Sequence, residues 1–322
     1  MSDWKPTAIK ETLCARAKML AIVRGFFADR SILEVETPTL SLAGTTDTQI
    51  ESIIAHCQFS NKNPMYLSTS PELHMKRLLA ADYGDMYQIS RVFRDKELGR
   101  WHQPEFTLLE WYRVGWDDME LMKEVEVFLK IVLEDHFSLE PSNYLTYQEA
   151  FLKFLGIDIN AGFSSLRQQL KQKGLDFSDN LKTEDLLDLT FNTVIAPKLK
   201  KNTITFIYDF PANQAALAKI KPGEPPVAAR FEALLQGIEL ANGFAELTDS
   251  KEQKLRFENE QKNRQRAGQH VPPIDKSFLS ALSHGLPNCA GVAIGLDRLL
   301  AIALGLESIS ETMSFAHPTD IY

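Results

Sequence analysis

The sequence predicts an α+β fold. Alternation of side chains over residues 90–113 indicates two strands joined by a long loop, which is the strongest strand signal in the chain. Apolar residues recur at near-helical spacing over residues 7–30 and again over residues 117–136, so we expect a helix before and a helix after that hairpin. Residues 203–209 add a β-rich buried strand.

Length and charge restrict the classes of protein. The 322 residues carry a net charge of -8, which argues against a dedicated nucleic-acid-binding protein. The longest apolar run, near residues 299–306, is too short to cross a bilayer. The start of the chain is polar, and Cys14, Cys57 and Cys289 are widely spaced, which indicates reduced core thiols. We therefore expect a cytoplasmic protein with no membrane contact.

The loop of the predicted hairpin, residues 95–105, is far longer than an ordinary hairpin connection. It is rich in side chains that bind anions or bases, namely Lys96, Arg100, Trp101, His102 and Gln103. Such a loop on a rigid hairpin can clamp a nucleotide triphosphate. On composition alone, a solvated hairpin loop is the preferred interpretation.

The segment HQPEFTLLEWY resembles motif 2 of the class II aminoacyl-tRNA synthetases, in its lysyl-tRNA synthetase version. The resemblance implies that Arg94 is catalytic and holds both the ATP α-phosphate and the substrate carboxylate. It places His102 near the outer phosphates, stacks Phe106 on adenine and gives Tyr112 a substrate contact. The ATP-binding residues implied in this motif are Arg94, Asp95, Lys96, His102, Gln103 and Phe106.

A helix followed by the alternating segment SILEVETPTL, residues 31–40, precedes the hairpin. Pro38 cannot donate to a sheet ladder, so an edge or interface strand is expected. The order of helix, strand and proline resembles motif 1 of the same class, which implies a homodimer interface. An N-terminal packing helix is the alternative interpretation. Residues 41–51 form a polar loop of small residues that fits a mobile active-site loop.

Residues 65–79 predict a short strand and then a helix with Glu72 in its first turn, where a negative charge suits the helix dipole. Glu72 can therefore be explained as a carboxylate of the helix start. A matching Ser-Pro-Glu lies at the amino-acid pocket of lysyl-type enzymes. The resemblance thus assigns Ser70, Pro71 and Glu72 to the substrate site.

The segment FEALLQGIELANGFAEL, residues 231–247, carries three glutamates outside the hairpin. Asn242, Phe244 and Glu246 are two residues apart, so on a strand they share a face that can hold an ammonium group. A half-exposed strand with an acidic outer face is the alternative. GIELANGFAEL is similar to the lysyl-tRNA synthetase segment that contacts lysine and magnesium, which implies that these three residues bind the substrate.

Glu232 and Glu239 are separated by an odd number of residues, so a regular strand would place them on opposite faces. A bulge or turn near Gly237 can bring them together. Buried carboxylates need neutralising cations, and Mg²⁺ that bridges carboxylates to phosphates is a common one. The resemblance implies that Glu232 and Glu239 are magnesium ligands and that Glu239 and Leu240 contact ATP.

The sequence GVAIGLDR, residues 291–298, lacks the spacing of a dinucleotide-binding loop. It resembles class II motif 3, a glycine-rich strand followed by a helix that opens with an arginine. The resemblance implies that Arg298 is catalytic and contacts the γ-phosphate, and that Gly295 lets adenosine approach the backbone. The intervening Ala293 lies at the amino-acid pocket.

Two positions depart from the lysyl-tRNA synthetase pattern. Lys96 stands where motif 2 has a glutamate, and lysine cannot accept the adenine amino proton. Either backbone carbonyls or Glu97 take that role. Ala293 replaces a glycine, and its methyl group crowds the α-amino side of a lysine. One such group is worth about 1–3 kcal/mol of discrimination, which favours β-lysine.

The resemblance covers residues 1–322 as one class II catalytic domain, with an antiparallel sheet flanked by helices and a helical insertion or packing subdomain near residues 143–200. Motif 1 begins close to the first residue, so we expect no anticodon-binding domain and no tRNA partner. A charged helix near residues 256–266 carries Lys262, Arg264 and Arg266, which can touch an acidic partner but are more simply explained as solvated.

The chain therefore resembles the elongation factor P–lysine ligase family, the stand-alone paralogues of lysyl-tRNA synthetase. The resemblance implies an ATP- and Mg²⁺-dependent ligase that activates (R)-β-lysine as an adenylate and transfers it to a lysine side chain of elongation factor P. One alternative is a lysine-activating enzyme with a tRNA or small-amine acceptor. Another is a non-catalytic regulator that binds a ligand.

Overall fold

The computed structural model describes residues 4–58, 64–175, 177–178 and 181–318, with the backbone alone at residue 163. The chain divides into two compact units. The first unit consists of Met1–Gly115, Thr248–Cys289 and Ala293–Tyr322. The second unit consists of Trp116–Leu247 and Ala290–Val292. The predicted helical subdomain near residues 143–200 lies within the second unit, and its standing as a separate domain stays a prediction.

The elements follow one another in a mixed order along the chain. The α-helices are α1 Lys10–Ala28, α2 Glu72–Leu79, α3 Asp118–Leu133, α4 Tyr147–Leu155, α5 Phe163–Gln172, α6 Thr183–Thr190, α7 Ser250–Arg266, α8 Lys276–Gly285 and α9 Leu296–Ala303. The strands are β1 Leu33–Glu34, β2 Leu40–Ser41, β3 Ile54–Ala55, β4 Met65–Leu67, β5 Met86–Phe93, β6 Glu105–Val114, β7 Asn143–Thr146, β8 Thr205–Pro211, β9 Ile220–Lys221, β10 Val227–Leu235, β11 Ile238–Ala245 and β12 Cys289–Gly295. Short turns of other helix types occupy Phe191–Ile195, Ala196–Lys198, Ala212–Gln214 and Ile309–Thr312.

The first unit contains the predicted hairpin. Strands β5 and β6 pair antiparallel, and β1 lies parallel to β5 on its other edge. Helix α1 packs against this sheet through Phe27, whose ring stacks on Tyr87 with 4.1 Å between centroids and meets Trp111 edge-on at 5.4 Å. Buried aromatic contacts of this kind hold the hairpin rigid beneath its long connection. A smaller sheet, in the order β2–β4–β3, belongs to the same unit.

The second unit contains the strands β11–β10–β8–β7 in that order, and β9 also pairs with β10. The pairs are antiparallel except for β7 with β8. Helix α4 starts at a capping box formed by Thr146 and Glu149, and its Tyr147 and Phe151 are buried in the core of this unit. Both units combine helices with strands that pair mainly antiparallel, which confirms the predicted α+β class.

Most predicted elements are present with shifted ends. The first helix runs over Lys10–Ala28 rather than residues 7–30. The helix predicted over residues 117–136 spans Asp118–Leu133, because Asp117 is its N-cap in a capping box with Glu120. The strand predicted over residues 31–40 was wrong in extent, since only its ends pair, as β1 and β2. β1 pairs with β5 and β2 pairs with β4 in a different sheet, and Pro38, which has no backbone donor, lies in the unpaired stretch between them.

Two global expectations can be compared with the structure. The cysteines are free, but only Cys289 is buried, so the prediction of core thiols was wrong for the exposed Cys14. Among the helices of the described residues, none combines the length and apolar character that a membrane crossing requires.

Candidate active site

Arg94 leaves the end of β5 at the start of the hairpin connection. Its backbone amide donates to the Pro104 carbonyl over 2.9 Å, which closes the base of the loop. Its Nε donates to the Thr69 carbonyl at 3.3 Å, and its Nη1 lies 3.6 Å from Glu97 Oε1. The guanidinium carbon is 5.0 Å from the centroid of the Phe106 ring. The structure thus brings the predicted phosphate-binding arginine and the predicted adenine-stacking ring together.

The structure shows the backbone conformation and contacts at Lys96, where the sequence departs from the motif 2 pattern. Lys96 is exposed and adopts a left-handed backbone conformation, with φ of 64°. Its amide donates to Asp95 Oδ1 at 2.9 Å, and the Asp95 amide donates to the Glu51 carbonyl at 2.8 Å. The carboxylate that lies beside Arg94 is therefore that of Glu97, one residue later than the motif places it.

Arg298 lies in the first turn of α9, directly after the glycine-rich strand β12. Its Nε donates to the Trp101 carbonyl at 3.0 Å, and its Nη2 is 2.7 Å from His102 Nε2. These two contacts bring the motif 3 arginine to the hairpin loop. A Cβ built on Gly295 would meet only the Arg298 side chain, at 3.9 Å or more, so this backbone is open to a ligand.

Gln103, a predicted ATP contact, uses both atoms of its side-chain amide in hydrogen bonds within the protein. It is buried, its Oε1 accepts from the His317 amide at 3.0 Å, and its Nε2 lies 3.4 Å from the His317 carbonyl. These bonds tie the hairpin loop to residue 317. The structure gives Gln103 a role in shaping the loop, and its contact with ATP stays a prediction.

The Ser-Pro-Glu segment opens α2, with Pro71 as N-cap and Glu72 as the first helical residue. Ser70 Oγ accepts from the Glu72 amide at 3.0 Å and donates to Glu110 Oε2 at 2.8 Å. Glu72 Oε1 accepts from the buried Lys76 ammonium at 2.6 Å. The carboxylate of Glu72 therefore has a specific partner as well as a favourable place in the helix dipole.

Glu110 is the residue that sequence reasoning missed. It lies in β6, and its Oε1 accepts from the Tyr112 hydroxyl at 2.6 Å, so it joins Ser70 and Tyr112 in one buried group. Burial, followed by the nearby charge of Glu72, raises the pKa of the Glu110 carboxyl to about 7. The alternation of β6 already placed Glu110 on one face with Phe106 and Tyr112, and that was the available signal.

The second unit holds the predicted carboxylate pair. Glu232 lies on β10 and pairs with Asn242, whereas Glu239 on β11 pairs with Leu234. Glu232 and Leu234 are two residues apart on β10 and so share a face, and Glu239 lies opposite Leu234, so the turn between the strands brings the two glutamates to one face. The ladder also has an irregularity between Ala233 and Leu234. The turn between the strands is made by Gln236 and Gly237, both with positive φ, as in a tight two-residue hairpin.

The two carboxylates interact strongly. Burial, followed by the nearby charge of Glu239, raises the pKa of the Glu232 carboxyl to about 8. Arg230 offsets part of this effect, since its Nη2 lies 2.6 Å from Glu232 Oε1 and its Nε donates to Asn242 Oδ1 at 3.3 Å. A divalent cation bound here would lower that pKa, because it stabilises the ionised form of the carboxyl.

The other predicted residues of these strands differ in burial. Leu240 and Glu246 are buried, with Glu246 at 2% exposure, while Asn242 and Phe244 are half-buried. Phe244 packs against the core of the second unit. Ala293, on β12, is half-buried. Their roles toward a substrate stay predictions.

The residues present fit a magnesium ion that also binds phosphates. Glu232 and Glu239, both half-buried, supply hard oxygen donors, and Mg²⁺ is commonly held by one or two carboxylates plus phosphate oxygens and water. Within the described ranges, no group of three or more histidine, cysteine, aspartate or glutamate side chains could hold a metal. An ion here would therefore depend on oxygens from a nucleotide.

Comparison with known proteins gives consistent matches. The family of tRNA synthetases class II (D, K and N) matches residues 1–319. The chain is 48% identical to the elongation factor P–(R)-β-lysine ligase of Proteus mirabilis over 325 residues, covering 98% of both chains. It is 45% identical to the proteins of the same name from Avibacterium paragallinarum and Vibrio cholerae, again over 98% of both chains. These matches confirm the resemblance predicted from the motifs.

Proposed function

Because the chain belongs to the elongation factor P–(R)-β-lysine ligase family, within the class II tRNA synthetases, we propose that it activates (R)-β-lysine with ATP and transfers it to a lysine side chain of elongation factor P. The observation that carries this function is identity of 45–48% over nearly the full length of relatives with that name. The grouping of Arg94 with Phe106, and of Arg298 with His102, supports the use of ATP.

In the first step, a carboxylate oxygen of β-lysine attacks the α-phosphorus of ATP. A new P–O bond forms, the bond between the α-phosphorus and the bridging oxygen to the β-phosphate breaks, and pyrophosphate leaves. Arg94 is proposed to bind the α-phosphate and Arg298 the γ-phosphate. Arginine suits both places because its charge is permanent and its donors form a planar fork. Positioning and charge stabilisation, rather than a protein nucleophile, supply the catalysis.

Glu232 and Glu239 are proposed to hold Mg²⁺, which supplies positive charge to the phosphate oxygens when bound. The raised pKa of Glu232 supports this role, because a divalent cation stabilises the ionised form that burial disfavours. Arg230 already orients one oxygen of Glu232, with 2.6 Å between the charged atoms.

The ammonium groups of the substrate are proposed to be held by carboxylates and polar groups. One proposed set is Glu110 with its partners Ser70 and Tyr112, together with Glu72. The other proposed contacts are Asn242 and Glu246, with Phe244 as an apolar wall. Ala293 is proposed to favour the β-amino over the α-amino isomer, as the added methyl group takes space that glycine would leave.

In the second step, the amine of an acceptor lysine attacks the carbonyl carbon of the adenylate. A C–N bond forms, the C–O bond to AMP breaks, and the amine loses a proton as the amide appears. Elongation factor P is the proposed acceptor, because the relatives are named for it. We also propose that the protein acts in the cytoplasm. We propose further that it forms a homodimer through the motif 1 segment, which sedimentation velocity of the purified chain tests.

The test is ATP–pyrophosphate exchange with (R)-β-lysine and with α-lysine, with and without Mg²⁺. We expect Mg²⁺-dependent exchange that is faster with (R)-β-lysine. Intact-mass measurement of elongation factor P then reports transfer, and an acid-precipitation assay with purified tRNA reports the competing acceptor. Exchange with neither amino acid would refute the activating role, and charging of tRNA without modification of elongation factor P would refute the proposed acceptor.

A further inference from the structure

Arg264 is a buried arginine on a helix that is otherwise charged and largely exposed. Its side chain is 1% exposed, whereas Arg266, two residues later, is exposed. The sequence suggested a solvated basic face for this part of α7, and for Arg264 that interpretation was wrong. A buried guanidinium is costly unless its donors are satisfied, so its partners show what it does.

The partners of Arg264 come from one loop and from the turn after its own helix. Nη2 lies 2.7 Å from Glu51 Oε2, and Nη1 donates to the carbonyls of Asp47 at 2.6 Å and Ile50 at 3.1 Å. Nε donates to the His270 carbonyl at 2.6 Å. The guanidinium therefore binds residues 47–51 through two backbone carbonyls and one carboxylate.

Other contacts fasten the same loop. Gln269 Nε2 donates to the Thr48 carbonyl at 3.1 Å, and the Thr46 hydroxyl donates to Glu260. Gly44 is so closely packed that an added Cβ would lie 2.8 Å from Tyr66 Cδ1. The polar loop that the sequence predicts to be mobile is thus held along its length by α7 and the residues that follow it.

The clamped loop ends against the hairpin. The Glu51 carbonyl accepts from the Asp95 amide at 2.8 Å, and the two residues form an isolated antiparallel bridge. Asp95 directly follows Arg94. The same Glu51 is bound by Arg264 through its side chain and by the hairpin through its backbone. A shift of Glu51 would therefore move the backbone beside Arg94.

We propose that Arg264 is a positioning residue for ATP activation, which acts through Glu51 and Asp95 to fix the guanidinium of Arg94. It does not itself contact ATP. This inference rests on the proposed role of Arg94 in the activating step. An arginine is required because its planar guanidinium reaches three carbonyls and one carboxylate at once. The single ammonium group of a lysine cannot reach all four partners.

The experiment measures ATP–pyrophosphate exchange with (R)-β-lysine in the full chain, with ATP and amino acid varied separately. The variants are Arg264→Met, Arg264→Lys and, as matched control on the same helix, Arg266→Met. We expect kcat/KM for ATP to fall by about 10- to 100-fold in Arg264→Met, because small misplacements remote from the reacting atoms have effects of this size. Arg264→Lys should be intermediate, and Arg266→Met should match the wild type.

The two Michaelis constants separate positioning from simple loss of folded enzyme. Partial unfolding lowers kcat and leaves both KM values unchanged, whereas a displaced Arg94 raises KM for ATP. If Arg264→Met does not fold, Glu51→Gln takes its place, since it weakens one contact of the guanidinium and keeps the carbonyl contacts. A wild-type KM for ATP in the folded Arg264 variants, or in Glu51→Gln, would overturn the inference. Wild-type protein without exchange would instead refute the proposed function.

Discussion

Ser70 donates its hydroxyl hydrogen to Glu110, with 2.8 Å between Ser70 Oγ and Glu110 Oε2, across 40 residues of sequence. This bond joins the start of α2 to the hairpin strand β6. Tyr112 donates to the other oxygen of the same carboxyl at 2.6 Å. Glu110 is therefore held in place as a buried acceptor, which supports its proposed role toward an ammonium group of the substrate.

We predict that Glu110→Gln raises KM for (R)-β-lysine by about 10- to 100-fold, since a hydrogen bond to a charged group contributes about 1.5–3 kcal/mol. The measurement is amino-acid-dependent ATP–pyrophosphate exchange. Glu105→Gln, on the same strand, is the control, because its exposed pair with Arg91 contributes little.

The raised pKa of Glu110 gives the same variant a second signature. The carboxyl has a pKa of about 7, so it gains its charge as the pH rises from 6 to 8. We expect KM for the amino acid to fall over that range in the wild type and to stay flat in Glu110→Gln. An equal pH dependence in both proteins would assign the titration to another group.

We expect Glu97, rather than Lys96, either to accept from the adenine amino group or to orient Arg94. Glu97 lies 3.6 Å from Arg94, while Lys96 is exposed. We predict that Glu97→Gln raises KM for ATP about tenfold, because the charged carboxylate that pairs with Arg94 or accepts from adenine becomes a neutral amide. Lys96→Gln should change it less than about twofold, since the side chain is solvated. The reverse ranking in exchange kinetics would assign the motif 2 role to position 96.

The pH dependence of stability should report on Glu260. Burial raises the pKa of its carboxyl to about 7, although the Thr46 hydroxyl donates to it. The folded state thus holds a proton that the unfolded state releases near pH 4.5. The contribution of Glu260 is fully present below that pH and is lost as the pH rises through 7.

The variant that tests this is Glu260→Gln, which is neutral at every pH. Urea unfolding at pH 5 and pH 8 should show that the variant gains about 1–2 kcal/mol relative to the wild type between the two values, after allowance for partial exposure. Glu258→Gln, on the same helix, is the control and should show no such change. A constant difference between Glu260→Gln and the wild type would contradict the assignment.

The sequence predicted strands and turns better than it predicted contacts between residues that are distant along the chain. Alternation identified the strands of the hairpin, and the odd spacing of Glu232 and Glu239 indicated a bulge or turn near Gly237, where the structure has a turn at Gln236 and Gly237. Both follow from the two-residue period of a strand. The observed connection of residues 94–104 lies within one residue of the predicted loop of residues 95–105.

Burial and distant contacts could not be read from local pattern. Arg264 has the spacing of a solvated helical residue, yet it is buried because carbonyls more than 200 positions earlier along the chain turn toward it. Glu110 shares a strand face with Phe106 and Tyr112, but its bond to Ser70 depends on how α2 meets β6. Such pairings are set by tertiary packing, which periodicity does not encode.

Gly243 lies between two predicted substrate contacts, Asn242 and Phe244, and has no room for a side chain. A Cβ there would lie 2.6 Å from Phe231 Cζ and 2.9 Å from the Gly291 carbonyl oxygen. We predict that Gly243→Ala lowers the free energy of unfolding by about 1–3 kcal/mol, because a packed core resists added volume.

Urea unfolding checks the effect of Gly243→Ala, with Gly25→Ala as the control. Gly25 lies within α1, and an added Cβ there meets nothing within 4 Å. Its replacement should be neutral or stabilising by up to about 1 kcal/mol, since alanine favours helices over glycine. If Gly243→Ala were as stable as the wild type, the β10 and β11 strands would have to yield more readily than their close contact indicates. In that case the Phe231 side chain would be the one that moves. The double variant Phe231→Leu with Gly243→Ala should then show no gain in the free energy of unfolding from relief of the Gly243→Ala contact.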